Sequence, residues 1–241
     1  MRRRLLMGFA LCAFTPAPLL AREGKSVNVS TLVGTDPATS VAEQVLAEAY
    51  HRLGYELVVH RVPGERSLLL ANDGQMDGEL YRKLGMDREY PHLMIIPVPL
   101  LIYEIVIFTR GTSFVVNGWD SLRPFTVGFV RGIKIVQENT RGMKTEAVAT
   151  IELAFQKMLM GRTDIVVGSR TSGLAAIAAL KLDELKMLSP PLASFPVYHY
   201  LHNRHAALVP RLTRVLQQMQ ADRVIEKIQG AVLSTLPAAG R

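Results

Sequence analysis

Hydrophobic and polar positions along the first sixty residues follow two kinds of pattern, that of a β-strand and that of an α-helix. Residues 27–33 alternate with a period of two, which predicts a strand. Asp36 and Pro37 are typical of a helix start, and apolar positions on one face extend this helix to about residue 53. Residues 55–62 predict a second strand. Strand, helix and strand in this order indicate a βαβ unit and a parallel sheet.

The alternation of elements continues to the C-terminus. Further strands are predicted from residue 77 and at residues 93–98, 100–108, 126–130, 165–167, 185–188 and 195–201. Further helices are predicted at residues 65–71, 151–160, 173–182, 209–219 and 222–228. Residues 110–120 form a polar, glycine-containing break near the middle of the chain. The pattern as a whole predicts an α/β fold.

One loop pattern occurs in both halves of the chain. Residues 74–78 (Gly-Gln-Met-Asp-Gly) and 161–165 (Gly-Arg-Thr-Asp-Ile) each follow an apolar helix and open a strand. Glycine ends a helix in the left-handed conformation, and Asp, which is disfavoured inside strands, marks the strand entry. Ordinary αβ loops would produce the same similarity by chance. Together with the central break, however, the repeat favours two similar α/β lobes.

The first 21 residues have the features of a secretory signal peptide. Arginines at residues 2–4 precede an apolar run at residues 5–14, and Ala21 offers a small residue for cleavage. The alternative, a membrane anchor, needs about 20 apolar residues. We therefore expect cleavage after Ala21 and export from the cytoplasm.

Cleavage would change the charge and the cysteine content. The full chain of 241 residues has a formal net charge of +7, and three positive charges and the single cysteine, Cys12, lie before Ala21. The mature chain would be cysteine-free and less basic. Export and a small charge argue against nucleic acid as a partner. The share of hydrophobic residues, 49%, excludes a disordered chain.

Several short motifs, in their order and spacing, resemble a known family. In the first half they are Val62-Pro63, Arg66, Leu69 and the Gly74-to-Gly78 pattern. In the second half they are Val127-Gly128-x-Val130-Arg131-Gly132, Glu152-Leu153 and Gly161-Arg162-x-Asp164-Ile165-Val166-Val167. Over residues 27–228 the chain resembles the type II periplasmic solute-binding proteins of extracellular solute-binding family 3, the amino-acid-binding-like group.

This resemblance implies a two-lobed periplasmic-binding-protein type II fold of the α/β class, in which each lobe is a mixed, mainly parallel sheet flanked by helices. After the signal peptide (residues 1–21), the first part of lobe 1 would span residues 22–101. Lobe 2 would span residues 102–194, and residues 195–241 would return to lobe 1 and supply its C-terminal helices. A solute would bind in the cleft between the lobes.

The resemblance also implies a function. The chain would be an exported protein that captures a small polar solute, anionic or amino-acid-like, for an ABC-type transporter or a sensor. Two alternatives remain open: a sensor or partner-docking module with an empty cleft, and an exported dehydratase-like enzyme. We expect a monomer without enzymatic activity, with a small-molecule solute and a membrane permease or sensor as partners, and with neither cofactor nor metal.

Basic residues follow several predicted strands at the edge where ligands bind in open parallel sheets. The candidate ligand-binding arginines are Arg66, Arg82, Arg131, Arg170 and Arg88. Guanidinium groups suit carboxylate or phosphate oxygens. Arg88 is included because amino-acid-binding relatives carry an arginine near this position, although its spacing from Asp77 is one residue short. The alternative for each of these arginines is a surface position without a role in binding. For Arg82 that alternative includes an ion pair with Glu79 or Asp87.

Ser169 occupies the position at which amino-acid-binding relatives carry an acidic residue. A hydroxyl group does not neutralise an ammonium group that is removed from water, so an anionic or neutral solute competes with an α-amino acid as the expected ligand. Glu79 is a candidate partner for a cationic group, and Tyr81 a candidate for stacking on the solute.

Overall fold

A computed structural model describes residues 25–34, 36–63, 66–234 and 236. The expected signal peptide, with Cys12, lies outside the described residues. No helix in the part of the chain that the structure describes is long and apolar enough to cross a membrane.

Strands and helices alternate through most of the described chain. The strands are β1 (Lys25–Leu32), β2 (Tyr55–Val62), β3 (Gly78–Lys83), β4 (Leu93–Ile95), β5 (Leu101–Thr109), β6 (Val127–Val130), β7 (Thr145–Val148), β8 (Ile165–Ser169) and β9 (Lys186–His202). The α-helices are α1 (Pro37–Arg52), α2 (Arg66–Asn72), α3 (Met86–Glu89), α4 (Lys134–Asn139), α5 (Ile151–Leu159), α6 (Arg170–Leu180), α7 (Val209–Ala221) and α8 (Val224–Leu233). Short 3-10 turns occupy Trp119–Leu122 and Asn203–Leu208.

All of these strands belong to one sheet in the order β2-β1-β3-β9-β5-β8-β6-β7, and β4 also pairs with β9. The outer strands run parallel: β1 pairs with β2 and β3, and β6 pairs with β7 and β8. The central strands β9 and β5 run antiparallel to their neighbours. β9 therefore joins the two halves, and the two predicted strands at residues 185–188 and 195–201 are the ends of this one element.

The buried side chains form separate cores on either side of the central strands. The first core packs α1, α7 and α8 against β1 and β3, and α2 and α3 add a smaller cluster. The second packs α5 and α6 and the turn before β6 against β5, β6 and β8. The expected α/β fold with two lobes is confirmed. The boundaries at residues 101 and 194 stay predictions, because the sheet continues across them.

Among the described residues, side chains cap the α-helices α1, α5 and α6, each of which follows closely on a strand. Asp36 accepts a hydrogen bond from the Ala38 amide (3.0 Å), and Thr150 and Ser169 accept from amides in the first turns of α5 and α6. Because β1, β7 and β8 end beside these caps, polar side chains collect at the carboxyl ends of the strands.

A helical glycine in the second core allows close packing. A Cβ atom at Gly173 would lie 2.1 Å from Cζ of the buried Phe108 ring, whereas one at Gly230 would meet no atom within 4 Å. We expect Gly173→Ala to lower the free energy of unfolding by about 2 kcal/mol, because the ring must shift in a packed core. The matched control Gly230→Ala should be neutral or stabilising by up to about 1 kcal/mol. Equal urea midpoints for the two variants would contradict this packing.

Candidate functional site

The carboxyl ends of β1, β3, β6 and β8 surround a cleft between the lobes. The cleft contains two adjoining compartments of about 520 and 530 Å³, volumes that include the open solvent at their mouths. Both are lined by Leu32, Tyr81, Tyr103 and Ile133. Because they share these walls, the two compartments are parts of one site.

The first, which we call the basic compartment, is lined by Arg82, Lys83 and Lys134 together with mostly apolar and aromatic side chains. The amino group of Lys83 lies 2.7 Å from Glu138 Oε2, and that of Lys134 lies 3.1 Å from Glu89 Oε1. Both pairs connect one lobe to the other. Since their side chains are partly exposed, the pairs are weak and can rearrange when a solute enters.

The second, which we call the acidic compartment, is lined by Asp36 and Glu152 together with the hydroxyl groups of Thr39, Thr150, Ser169 and Ser172. Asp36 accepts hydrogen bonds from the hydroxyl groups of Tyr103 (2.8 Å) and Thr171 (2.6 Å). The bond from Thr171 joins α6 of the second lobe to the start of α1. Asp36 is thus held in the cleft by neutral donors, including the amide of Ala38.

Tyr81 and Tyr103 lie between the two compartments. Their ring centroids are 6.1 Å apart, and the ring of Phe195 continues the aromatic wall 5.9 Å from Tyr103. Burial, and secondarily the charge of Asp36, raises the pKa of both tyrosine hydroxyl groups. The two hydroxyl groups therefore stay neutral at physiological pH and act as hydrogen-bonding groups.

Behind the basic compartment, Arg82 pairs with Glu79, whose side chain is 0% exposed. Arg82 Nε donates to Glu79 Oε1 (2.8 Å), and its Nη2 lies 2.7 Å from the same oxygen. The other carboxylate oxygen accepts a hydrogen bond from Ser67 (2.5 Å), and the hydroxyl group of Ser30 lies 3.2 Å from it and 2.9 Å from the carbonyl oxygen of Ser67. Burial raises the pKa of Glu79, and the neighbouring Arg82 opposes that shift.

A buried histidine lies on the other side of Glu79. His199 is 0% exposed, and burial lowers its pKa to about 4. Its Nδ1 lies 2.9 Å from the carbonyl oxygen of Glu79 and 3.1 Å from that of Leu80, and its Nε2 lies 2.8 Å from the hydroxyl oxygen of Tyr50. A neutral His199 therefore carries its proton on Nδ1 and accepts from Tyr50, because carbonyl oxygens can only accept.

The structure brings some of the predicted site residues together. Arg82 and Tyr81 line the basic compartment, Tyr81 and Ser169 line the acidic one, and Glu79 contacts Arg82 from behind the wall. Arg82 thus takes the paired alternative, although it is largely buried rather than on the surface. That these four residues bind the solute remains a prediction.

The other predicted arginines lie outside the walls of the two compartments. Arg66 and Arg88 are exposed on α2 and α3. Arg131 is exposed and donates to the carbonyl oxygen of Ala147 (3.2 Å). Arg170 Nε lies 2.6 Å from Oε2 of Glu104.

Two further residues belong to the cleft. Asp36 has the sequence features of a helix cap, and its position after β1 also indicates a site residue at a strand end. Thr171 follows the end of β8 in the same way, but its bond to Asp36 depends on how α6 lies against α1, which no local pattern records.

Comparison with known proteins agrees with this architecture. The chain matches no protein-family model. A Shewanella oneidensis protein described as uncharacterized is 24% identical over an alignment of 244 positions, which covers 92% of this chain and 91% of that protein.

Solved structures are similar over most of the chain. A mutant of ArgBP from T. maritima has a TM-score of 0.74 at 19% identity, covering 87% of this chain and 95% of that one. A histidine kinase sensor domain with similarity to periplasmic binding proteins has a TM-score of 0.74 at 18% identity, with coverages of 90% and 100%. The GluR0 ligand-binding core in complex with L-glutamate has a TM-score of 0.75 at 13% identity, with coverages of 88% and 99%. At these identities the likeness shows the fold.

Proposed function

We propose that this chain, which has the two-lobed fold of the type II periplasmic binding proteins, is an exported protein that captures a small polar solute, anionic or amino-acid-like, between its lobes. The observation that carries the proposal is the convergence of charged side chains on one cleft. Arg82 and Lys134 line one compartment and Asp36 the adjoining one. A solute that carries polar groups would find donors and acceptors within one site.

Binding would follow from closure of the lobes. The hydrogen bond from Thr171 to Asp36 and the pairs of Lys83 with Glu138 and Lys134 with Glu89 already connect the lobes. A solute that contacts both walls adds to these contacts and so stabilises the closed form relative to the open one. A dissociation constant of about 1 μM would correspond to about 8 kcal/mol of binding free energy.

Delivery to an ABC-type transporter is the first candidate role. It is supported by likeness to the substrate-binding protein of an amino acid ABC transporter, with a TM-score of 0.69. A sensor role is the second candidate, because the chain covers the whole of the histidine kinase sensor domain that it resembles. In both roles the protein would act as a binding protein rather than as an enzyme.

The remaining sequence-based expectations belong to the same proposal. Residues 1–21 would be removed on export to the periplasm. Residues 22–101 and 195–241 would form lobe 1, and residues 102–194 lobe 2. The mature protein would work as a monomer whose partners are the solute and a membrane permease or sensor.

A thermal-shift screen over amino acids, carboxylates, polyols and phosphate esters, followed by calorimetry, tests this proposal. We expect at least one compound to raise the melting temperature and to bind at a 1:1 ratio. If that compound carries a cationic group, Asp36→Asn should weaken its binding at least tenfold, because Asn keeps the helix cap but removes the negative charge from the cleft. Asp120→Asn, on an exposed 3-10 turn, is the matched control and should bind normally. A panel without any stabilising compound, or equal binding of such a cationic compound by both variants, would contradict the proposal.

A further inference from the structure

Strand β3 contains an irregularity beside the cleft. Glu79 pairs with Tyr200 of β9, but Arg82 pairs with Tyr198, so the register shifts by one residue between these pairs. Leu80 and Tyr81 together lie opposite the single residue His199. Two residues opposite one are the defining feature of a β-bulge, which re-aims the side chains that follow it.

The bulge changes which way Arg82 points. In a regular strand, side chains alternate between the two faces, so residues three apart point in opposite directions. The extra residue restores Glu79 and Arg82 to the same face. The ion pair between them, with Nε 2.8 Å from Oε1, is therefore a consequence of the bulge.

Side chains from other elements hold the bulge in place. The carbonyl groups of Glu79 and Leu80 accept from Nδ1 of His199, and Tyr50 of α1 donates to Nε2 of the same ring. These bonds satisfy carbonyl groups at a point where the ladder between β3 and β9 is interrupted. The bulge is thus fixed from both β9 and α1.

The carboxylate of Glu79 is fixed as firmly as the backbone. The hydroxyl group of Ser67 donates to Oε2, which leaves Oε1 for one edge of the guanidinium, formed by Nε and Nη2. The opposite edge consists of Nη1 and the second N–H of Nη2. Arg82 lines the basic compartment, and its buried Nη2 makes no hydrogen bond of good geometry within the described residues.

We propose that Glu79 is a positioning residue for solute binding: it holds Arg82 by one edge so that the part of the guanidinium that faces the basic compartment receives an anionic group of the solute, a carboxylate or a phosphate. Glu79 then acts through Arg82 and does not itself contact the solute. A guanidinium that is already ordered loses little side-chain entropy on binding, which favours affinity. This inference rests on the proposed function, because it concerns the same cleft.

Side-chain ¹⁵N NMR of Arg82 during titration with acetate, and separately with inorganic phosphate, tests the inference at constant ionic strength. Arg82→Lys, which lacks the guanidinium, assigns the signal. In the wild-type protein we expect slow hydrogen exchange at Nε and a saturable shift of the Arg82 signal with at least one of the two anions. The anion that binds more tightly identifies the group that Arg82 recognises.

The variants separate positioning from general stability. Glu79→Gln should speed exchange at Arg82 Nε and raise the dissociation constant of the anion at least tenfold in protein that is still folded. Glu79→Asp keeps the charge but is one methylene shorter, and it should show the same loss of anion affinity. It replaces the Gln variant in the experiment if that variant does not fold. Glu48→Gln makes the same charge change at the exposed partner of Arg52 on α1, away from the cleft, and should alter the dissociation constant less than twofold.

Two results would overturn the inference. An Arg82 signal that neither anion shifts in the wild-type protein would remove the anion site, even if the solute screen succeeds. Unchanged anion affinity in the folded Glu79 variants would assign Glu79 a structural role only. Failure of the solute screen, with the Arg82 signal responding as expected, would instead reject the proposed function and leave the positioning role in place.

Discussion

Replacing Arg82 with methionine is expected to lower the free energy of unfolding by about 3–5 kcal/mol at pH 7. The substitution leaves Glu79, whose side chain is 0% exposed, as a buried carboxylate without its cation. The hydroxyl groups of Ser67 and Ser30 remain, but neutral donors compensate a buried charge only in part. Urea unfolding at pH 7 measures the loss.

The effect should depend on pH in a defined direction. Burial raises the pKa of Glu79, and without Arg82 this shift is no longer opposed. A carboxyl group with a raised pKa in the folded state stabilises the fold at low pH and loses that contribution as the pH rises through the folded-state value. The deficit of Arg82→Met should therefore shrink as the pH falls from 7 towards 5.

The double variant Glu79→Gln/Arg82→Met is the control for this interpretation. It removes both charges and should recover most of the stability lost in Arg82→Met, because a neutral amide costs less to bury than a carboxylate. An equal deficit at every pH, or a double variant no more stable than Arg82→Met, would show that the Glu79 charge is not the cause.

The second large effect is a loss of stability on acidification, caused by His199. Burial lowers the pKa of His199 to about 4, below its usual value of 6.5. Because protonation of His199 is less favourable in the folded than in the unfolded protein, neutral His199 contributes its full share to the free energy of unfolding above pH 6.5. That share is lost as the pH falls towards 4. The shift corresponds to about 3 kcal/mol at the acid end of this range.

His199→Gln isolates the contribution of His199. The variant should be less stable than the wild-type protein at pH 7, because it loses part of the support of the bulge. Between pH 6.5 and 4, however, its free energy of unfolding should fall less steeply. Other titrating groups with lowered pKa values, such as Asp77 and His202, are present in both proteins and cancel in the difference. Parallel curves for the two proteins would contradict a buried neutral His199.

The alternation of strands and helices was readable from the sequence, but shorter and interrupted elements were not. The helix α4 and the strand β7 are not predicted from the sequence, because their six and four residues are too few to show a clear period. The sequence predicts two strands where the structure has the single strand β9, whose interior contains Pro190 and Pro191. These prolines occupy the stretch between the Leu188 and Ala193 pairings with β5, where the ladder is irregular and an N–H group is not needed.

The candidate site was predictable in its location rather than in its detail. Strand ends with basic residues indicated the cleft edge, and Arg82, Tyr81 and Ser169 do line it. The side-by-side arrangement of Glu79 and Arg82 depends on a bulge, and regular alternation in the sequence places these side chains on opposite faces. Which of the loop arginines face the cleft depends on how the two lobes meet, and no local pattern records that contact.

A crystal structure of the mature protein, grown with the solute that most raises its melting temperature, tests the central claim most directly. The account predicts electron density for one small molecule between Tyr81 and Tyr103, in contact with Arg82 from one lobe and with residues of the other lobe. Density for that solute outside the cleft, or water alone between the lobes at a saturating concentration, would contradict it.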